Sequence, residues 1–224
     1  MAQKEIRKVI IFGTGGNCVD ILDTLDEINR IRPTFECIGF LDDDTARQGT
    51  VVAGRKVLGP LANARAFPDV YFINGIGSTR NFHKKEHIIR SAGISLERFV
   101  SIIHPTASVS RLARIGLGTV IFQNVTVTSH ATVGNHVIIL PNSVISHDDV
   151  IGDYSCIAGG VCISGKVVIE PSCYLGSNCS VIENVRIGRN SLIGMGAVVT
   201  RDVGNNSVMV GNPARFIRTS VNSD

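Results

Sequence analysis

An aliphatic side chain recurs at every sixth position along the second half of the chain, and this repeat restricts the fold more than any other feature. It continues without a gap through Val109, Ile115, Ile121, Val127, Val133, Ile139, Ile145, Ile151, Ile157, Ile163, Ile169, Leu175, Val181, Ile187, Ile193 and Val199. The residue two positions before each of these is mostly small, or is valine. This pattern is typical of a β-helix, in which three hexads form one coil and successive coils stack about 4.8 Å apart.

The position three residues after each aliphatic residue supports the same register. It mostly holds residue types that tolerate a positive φ at a turn, namely Gly118, Asn124, His130, His136, Asn142, Asp148, Gly160, Asn178, Asn184, Asn190 and Gly196. His130, His136 and Asp148 therefore have a purely structural explanation as corner residues. His130 and His136 are one hexad apart, on different faces of a triangular coil, so we expect no metal site between them.

Residues 1–98 lack this repeat and alternate between strand and helix patterns. RKVIIFGTGG, FECIGFLDDD and VYFINGIGS read as strands that end in glycines or acids. NCVDILDTLDEINRI and TRNFHKKEHIIRSAG read as helices. We therefore predict an α/β domain with a small parallel sheet over 1–98, a linker over 99–108, a β-helix over 109–203 and a C-terminal segment over 204–224.

The composition argues against several classes of partner and location. A formal net charge of +3 with scattered Lys and Arg does not favour nucleic acid. No apolar run is long enough to span a bilayer, and the N-terminal sequence is unlike a signal peptide, so we expect a cytoplasmic protein without membrane insertion. The six cysteines lack paired CxxC spacing, which favours buried free thiols over disulfides or zinc.

The GTGG sequence after the first strand is half of a dinucleotide-binding fingerprint. Its glycines place backbone N–H groups at the start of a helix, where a phosphate or another anion can bind. Cys18 replaces the third glycine of the full motif, which argues against NAD. The alternative is that the glycines only form a tight turn. The pattern thus predicts a site for a nucleotide-linked ligand, formed by Gly13, Gly15, Gly16, Asp42 and Asp43.

His147 follows Ile145 by two residues, in a column of mixed residue types where packing does not demand a histidine. Its neighbour one coil along is Gly165, which leaves space for a reacting group beside the imidazole. Because imidazole can accept a proton at cellular pH, His147 is the candidate general base. Asp148 is the candidate to orient the ring. Asp149 is the alternative, and it falls in the inward column, which is the column of mostly small residues two positions before each aliphatic residue.

The motifs IFGTGGN, GFLDDD, SHDD and VGNPAR extend over nearly the whole chain. Together with the hexads they resemble the bacterial sugar acyltransferases of the left-handed β-helix superfamily. Its most similar branches are the N-acetyltransferases of nucleotide-linked 4-amino-4,6-dideoxy sugars and the sialic acid O-acetyltransferases. The resemblance implies a Rossmann-like N-terminal domain followed by a left-handed parallel β-helix. It also implies a homotrimer that binds acetyl-CoA between neighbouring β-helices.

The resemblance also implies roles for individual residues. His147 and Asp148 match the family's base and its orienting acid. The residues that match the sugar-nucleotide site are Gly13, Gly15, Gly16, Asp42 and Asp43. Acetyl-CoA contacts are implied for Cys156, Gly165, Pro213 and Arg215, and the C-terminal segment closes over the nucleotide of CoA. Asn17 and Cys156 stand where the family often has histidines.

The leading functional hypothesis is direct transfer of an acetyl group from acetyl-CoA to a sugar amine, because no Cys or Ser stands beside His147 as a nucleophile. Acetylation of a hydroxyl group of a sugar or of sialic acid is the alternative within the same chemistry. Two other hypotheses are a nucleotide-dependent oxidoreductase, which the missing third glycine disfavours, and a β-helix protein that binds a nucleotide sugar without reacting. The nucleotide and the sugar stay open.

Overall fold

The computed structural model describes residues 6–221. Its N-terminal unit contains, in chain order, β1 (Arg7–Phe12), α1 (Gly16–Ile31), β2 (Phe35–Leu41), β3 (Val51–Val52), β4 (Arg55–Lys56), β5 (Tyr71–Asn74) and α2 (Lys85–Ser91). Strands β2, β1 and β5 form a parallel sheet in that order, which confirms the predicted small parallel sheet. The second helix is shorter than the predicted segment, since a 3-10 turn at Phe82–Lys84 precedes it. Further 3-10 turns lie at Leu61–Ala66 and Leu96–Arg98.

Short strands then build a solenoid of about six coils. In chain order they are β6 (Ile102–Ile103), β7 (Ser108–Val109), β8 (Arg114–Ile115), β9 (Val120–Ile121), β10 (Thr126–Val127), β11 (Thr132–Val133), β12 (Ile138–Ile139), β13 (Val144–Ile145), β14 (Val150–Ile151), β15 (Cys156–Ile157), β16 (Cys162–Ile163), β17 (Val168–Ile169), β18 (Tyr174–Leu175), β19 (Ser180–Val181), β20 (Arg186–Ile187), β21 (Leu192–Ile193), β22 (Val198–Val199), β23 (Ser207–Val210) and β24 (Arg215–Thr219).

The strands of successive coils pair in parallel and form three faces. Face 1 contains β6, β9, β12, β15, β18, β21 and β23, with β24 antiparallel at its edge. Face 2 contains β7, β10, β13, β16, β19 and β22, and face 3 contains β8, β11, β14, β17 and β20. Thr126 pairs with Val144 and Val144 with Cys162, so one coil takes three hexads and the predicted left-handed parallel β-helix is confirmed.

The repeat explains why these residues form this solenoid. The aliphatic column from Ile121 to Val199 is buried throughout, and the small column beside it fills the remaining interior. The corner column has φ between 55° and 70° from Gly118 to Gly196. This includes Tyr154 and Lys166, which do not favour such a conformation, so the coil geometry prevails over local preference there.

The solenoid extends beyond the predicted β-helix of 109–203 at both ends. Ile102 and Ile103 pair with Val120 and Ile121, so the 99–108 stretch contains solenoid strands and is not a free linker. The reason is visible in the repeat, because Ile103 lies one hexad before Val109. At the other end β23 pairs in parallel with β21, so the first strand of the 204–224 segment also belongs to the stack.

The N-terminal unit packs on face 1. Outward residues of this face, including Val120 and Ile138, share a buried apolar cluster with Val9 and Ile11 of β1. The ring of Phe99 lies 4.6 Å from that of His136 at the corner between faces 3 and 1. Because the unit covers face 1, the corner between faces 2 and 3 lies on the opposite side of the triangular coil.

All six cysteines are free, and five of them are buried as predicted. Cys162 is the exception: it is exposed, because it is the outward residue of β16 on face 2. No helix among residues 6–221 combines the length and the apolar composition needed to cross a membrane.

Candidate active site

The GTGG loop joins β1 to α1 and lines a cleft of about 510 Å³. Gly13 has a φ of +94°, which residues with a side chain rarely adopt. A Cβ added at Gly15 or Gly16 would meet nothing within 4 Å, so both residues border open space. Gly15 is the N-cap of α1 and contributes no side-chain cap. The N-terminus of α1 therefore opens on the cleft, in the geometry that binds phosphate.

The packing of Cys18 shows how the GTGG loop can form without the third glycine of the motif. Its side chain is buried under the loop, and its Sγ lies 2.4 Å from the position that a Cβ of Gly75 would take. The space that the third glycine usually provides is thus supplied from the other side by a glycine after β5. Helix α1 can therefore still pack closely against the sheet, and the Cys18 thiol lies in the contact between them.

Asp42 and Asp43 end β2 and line the same cleft, because the carboxyl ends of neighbouring parallel strands meet at one edge of a sheet. The Thr14 hydroxyl donates to Asp42 Oδ2 at 2.6 Å, and the Asp44 N–H donates to Oδ1 at 2.9 Å. Asp43 Oδ1 accepts from the Leu61 N–H at 2.8 Å and so also caps a 3-10 turn. Both carboxylates are held in fixed positions at the cleft wall.

The loop after β5 supplies cleft residues that were not among the predicted site residues. Gly75, Gly77, Ser78 and Asn81 line the cleft beside the GTGG loop. The Asn17 side-chain amide donates to the Gly77 carbonyl at 3.2 Å and ties the two loops together. The signal for these residues was the NGIGS sequence, which repeats the pattern of a strand followed by glycines.

A second cleft of about 260 Å³ continues from the first, with Asn17, Gly77 and Ser78 in both walls. Its other wall is face 1 of the solenoid, including Cys156 and Tyr174. Cys156, implied to lie near the acyl donor, is therefore placed at the seam between the two units.

Lys85 lies behind the second cleft and is fully buried. Its Nζ is 3.5 Å from Cys156 Sγ, and burial lowers the pKa of this lysine. The sequence offered no sign of this contact, because Lys85 belongs to a helix with many charged residues and meets Cys156 only through the packing of α2 on β15.

His147 lies at the corner between faces 2 and 3 of the third coil, between β13 and β14. Its Nδ1 is 2.8 Å from Asp148 Oδ2, and this hydrogen bond lowers the pKa of Asp148. The two side chains are 57% and 46% exposed, so the imidazole is open to an incoming group. With Nδ1 engaged by the carboxylate, Nε2 is the nitrogen that can accept a proton.

Gly165 lies directly under the imidazole. A Cβ at this position would be 2.5 Å from His147 Nε2 and 2.6 Å from Cε1. The space beside the histidine that we predicted is thus occupied by the ring itself, and it exists because Gly165 has no side chain. His147, Asp148 and Gly165 thus lie together at this corner.

Asp149 lies in the inward column and is fully buried. Its two oxygens accept hydrogen bonds from the backbone N–H groups of Ser146 at 2.8 Å and Val167 at 2.9 Å. Burial raises the pKa of Asp149 to about 7. Asp148 therefore makes the direct contact with His147, and the Asp149 carboxylate is engaged by the backbone.

Pro213 lies at the last coil in a segment that crosses face 2, and Arg215 follows it as the first residue of β24 at the edge of face 1. The Val198 N–H donates to the Gly211 carbonyl at 3.0 Å, and the Ala214 N–H donates to the Val198 carbonyl at 2.8 Å, which fixes this segment on β22. Three coil spacings separate β13 from β22, or roughly 14 Å at the usual distance between neighbouring strands. His147, Gly165 and this segment thus follow one side of the solenoid.

The predicted site residues therefore fall into two groups within one chain. The cleft beside the GTGG loop and Cys156 lie on the side of face 1, and His147, Asp148 and Gly165 lie at the opposite corner. In residues 6–221 no three side chains of His, Cys, Asp or Glu converge in a geometry that could hold a metal ion.

Comparison with known proteins relates both units to described families. The PglD N-terminal domain model matches residues 8–89, and the bacterial transferase hexapeptide model matches residues 166–201. No curated protein is similar enough to match the chain.

Solved structures similar to the chain match over its whole length. PerB from Caulobacter crescentus, solved in complex with CoA and GDP-perosamine, is 28% identical with a TM-score of 0.80, over 97% of this chain and 100% of that one. The acetyltransferase domain of PglB from Neisseria gonorrhoeae, in complex with acetyl coenzyme A, is 25% identical with a TM-score of 0.79, over 95% and 100%. WeeI from Acinetobacter baumannii, at 24% identity and a TM-score of 0.78 over 94% and 100%, shares the fold.

The two family models, together with structural similarity that extends through both units, agree with the hexads and the glycine loop. The chain is an acyltransferase with a PglD-type N-terminal domain followed by hexapeptide repeats, and it is similar in structure to sugar acetyltransferases of the left-handed β-helix superfamily.

Proposed function

We propose that this enzyme is an acetyl-CoA-dependent N-acetyltransferase that modifies the 4-amino group of a nucleotide-linked 4-amino-4,6-dideoxy sugar. The observation that carries the proposal is the exposed imidazole of His147, bonded through Nδ1 to Asp148 and seated over Gly165. Similarity to an N-acetyltransferase solved with CoA and GDP-perosamine supports the substrate class. Transfer to a sugar hydroxyl is the alternative.

The proposed reaction needs one proton acceptor and no covalent enzyme intermediate. The sugar amine attacks the thioester carbonyl while His147 Nε2 takes its proton, and the C–S bond then breaks to release the CoA thiolate. Asp148 stabilises the imidazolium through Nδ1, as an orienting carboxylate does in other acyl transfers. The proton on the imidazolium then passes to the leaving sulfur.

The positions of the two groups of residues lead us to propose a site shared between copies of the chain. Because the cleft lies on face 1 and His147 lies at the opposite corner, a ligand in the cleft of one copy meets the corner of another. Val150 and Ile182 near this corner are 41% and 43% exposed in the single chain, and packing between copies would cover them. A closed homotrimer satisfies these conditions.

We propose that acetyl-CoA lies between neighbouring solenoids, along face 2. Its thioester would lie beside His147, its pantetheine arm would pass Gly165, and its nucleotide would reach Pro213 and Arg215 at the last coil. Cys156 would border the place where the amine and the acetyl group meet. The glycine loop and Asp42 and Asp43 would hold the nucleotide of the second substrate.

Gly15→Asp should weaken binding of a nucleoside diphosphate more than tenfold while α1 stays intact. Aspartate is a favoured N-cap residue, and nothing lies within 4 Å of the new Cβ, so the fold should be as stable as before. Its charge would repel the phosphates at the helix N-terminus. Calorimetric titration with UDP, GDP and dTDP measures this, with Gly15→Asn as the control that caps without charge. Equal affinities for the two variants would place the phosphates elsewhere.

Gly165→Ala should lower kcat at least tenfold without lowering the melting temperature. The new methyl group would displace the tip of an exposed histidine, which can rotate away without disturbing the core. Steady-state kinetics and thermal melts of this variant check the prediction. Full activity would show that the ring position over Gly165 is not the one used in catalysis.

The proposed activity is tested by acetyl-CoA consumption against UDP-, GDP- and dTDP-linked 4-amino sugars, with product masses determined. We expect one of these acceptors to gain an acetyl group at nitrogen, visible as an amide resistant to mild base. A product formed only from hydroxyl acceptors such as sialic acid, and cleaved by mild base, would establish the O-acetyl alternative instead.

A further inference from the structure

The inward column of the solenoid contains a ladder of hydroxyl groups at several corners. Each of these hydroxyls donates to a carbonyl of the following coil and accepts from a backbone N–H of that coil. The residues are Ser101, Thr119, Ser143, Ser155 and Ser191, with distances between 2.6 and 3.3 Å. A single oxygen atom is therefore sufficient to connect neighbouring coils at this position.

Asp149 occupies this column and is its only charged residue. Its Oδ1 accepts from the Val167 N–H, eighteen residues further on, as the hydroxyls do in the ladder. Its second oxygen makes a bond that the ladder residues do not make, because Oδ2 accepts from the Ser146 N–H within its own corner. The carboxylate thus joins two backbone segments, one before His147 and one after Gly165.

Connecting two coils through a buried carboxylate costs more free energy than connecting them through a hydroxyl group. Burial disfavours its charged form and raises the pKa of Asp149 to about 7, whereas a serine would make the bond to Val167 without a charge. Compared with a serine, the aspartate makes one additional hydrogen bond, which it accepts from the Ser146 N–H. That bond fixes the turn that carries His147, and it occurs at the corner where the candidate base stands.

We propose that Asp149 is a positioning residue that holds the His147 corner in its catalytic geometry by bonding the Ser146 and Val167 backbones at once. The inference rests on the proposed role of His147 as the base. Asp148 orients the imidazole through its side chain, and Asp149 orients it through the backbone. A displacement of the imidazole by about 1 Å is enough to cost about a hundredfold in rate.

The test uses Asp149→Ser, which keeps a hydroxyl for the Val167 N–H and removes only the acceptor for Ser146. We expect kcat to fall about 10- to 100-fold, with KM for both substrates and the assembly state unchanged. Thr119→Val is the matched control, since it removes a ladder hydroxyl at a corner far from His147 and should leave kcat unaltered. If Asp149→Ser does not fold, Asp149→Asn, which keeps one acceptor, is measured in its place.

A double-mutant cycle with His147→Ala distinguishes positioning from a general structural effect. If Asp149 acts through His147, its substitution should have no further effect on the residual rate of the His147→Ala enzyme. An equal loss in both backgrounds, or wild-type kcat in Asp149→Ser, would overturn the inference. Wild-type kcat in His147→Ala itself would instead reject the proposed function, so the two failures are distinguishable.

Discussion

Replacement of His147 by alanine is expected to lower kcat by about 10²- to 10⁴-fold, the usual contribution of a positioned general base. KM for acetyl-CoA and for the sugar nucleotide should change little, because the imidazole acts on the proton in the transition state and the substrates are held by other residues. Steady-state kinetics with both substrates varied measures the two effects separately.

Asp148→Asn is the matched control for this prediction. The amide can still contact Nδ1, but it cannot stabilise the imidazolium, so its kcat should lie between those of the wild type and of His147→Ala. Wild-type turnover in His147→Ala would show that the histidine has no catalytic role and serves only as a residue of the corner. A larger loss in Asp149→Ser than in Asp148→Asn, in a folded trimer, would identify the backbone contacts as the more important support.

The solenoid could be predicted because the sequence pattern that specifies it is contained within each hexad. Each hexad repeats the same inward aliphatic residue and the same corner residue, so sixteen consecutive repeats support one interpretation. The glycine loop and the acids after β2 were equally accessible, since they lie at strand ends and neighbouring parallel strands bring them together. The boundary at residue 109 was wrong by one hexad because our count of the repeat began at Val109, although Ile103 continues the same spacing.

Other features depend on how distant segments pack and were not visible in the sequence. The contact of Lys85 with Cys156 exists only because the N-terminal unit packs on face 1. The bond from the Val167 N–H to Asp149 depends on the stacking of one coil on the next. The position of His147 relative to the nucleotide cleft follows from which face the unit covers, which the apolar outward residues of face 1 determine.

The second large effect is expected from mixing two inactive variants. In a closed trimer with shared sites, each site takes its cleft from one chain and its His147 from the next. His147→Ala removes the base and Gly15→Asp weakens the phosphate site, so each homotrimer should be nearly inactive at a sugar-nucleotide concentration that leaves the Gly15→Asp site mostly unoccupied. In a mixed trimer, one of the three junctions joins an intact cleft to an intact His147, whichever variant is present twice.

The most direct test of the shared site is therefore the activity of trimers that contain both variants, purified through two different affinity tags. At that substrate concentration such trimers should recover about one third of the wild-type rate per trimer, while trimers of either variant alone stay nearly inactive. Each variant's melting temperature should match the wild type, which controls for misfolding. Absence of activity in correctly assembled mixed trimers would contradict the account, because it would mean that the cleft and His147 of the same chain form the site.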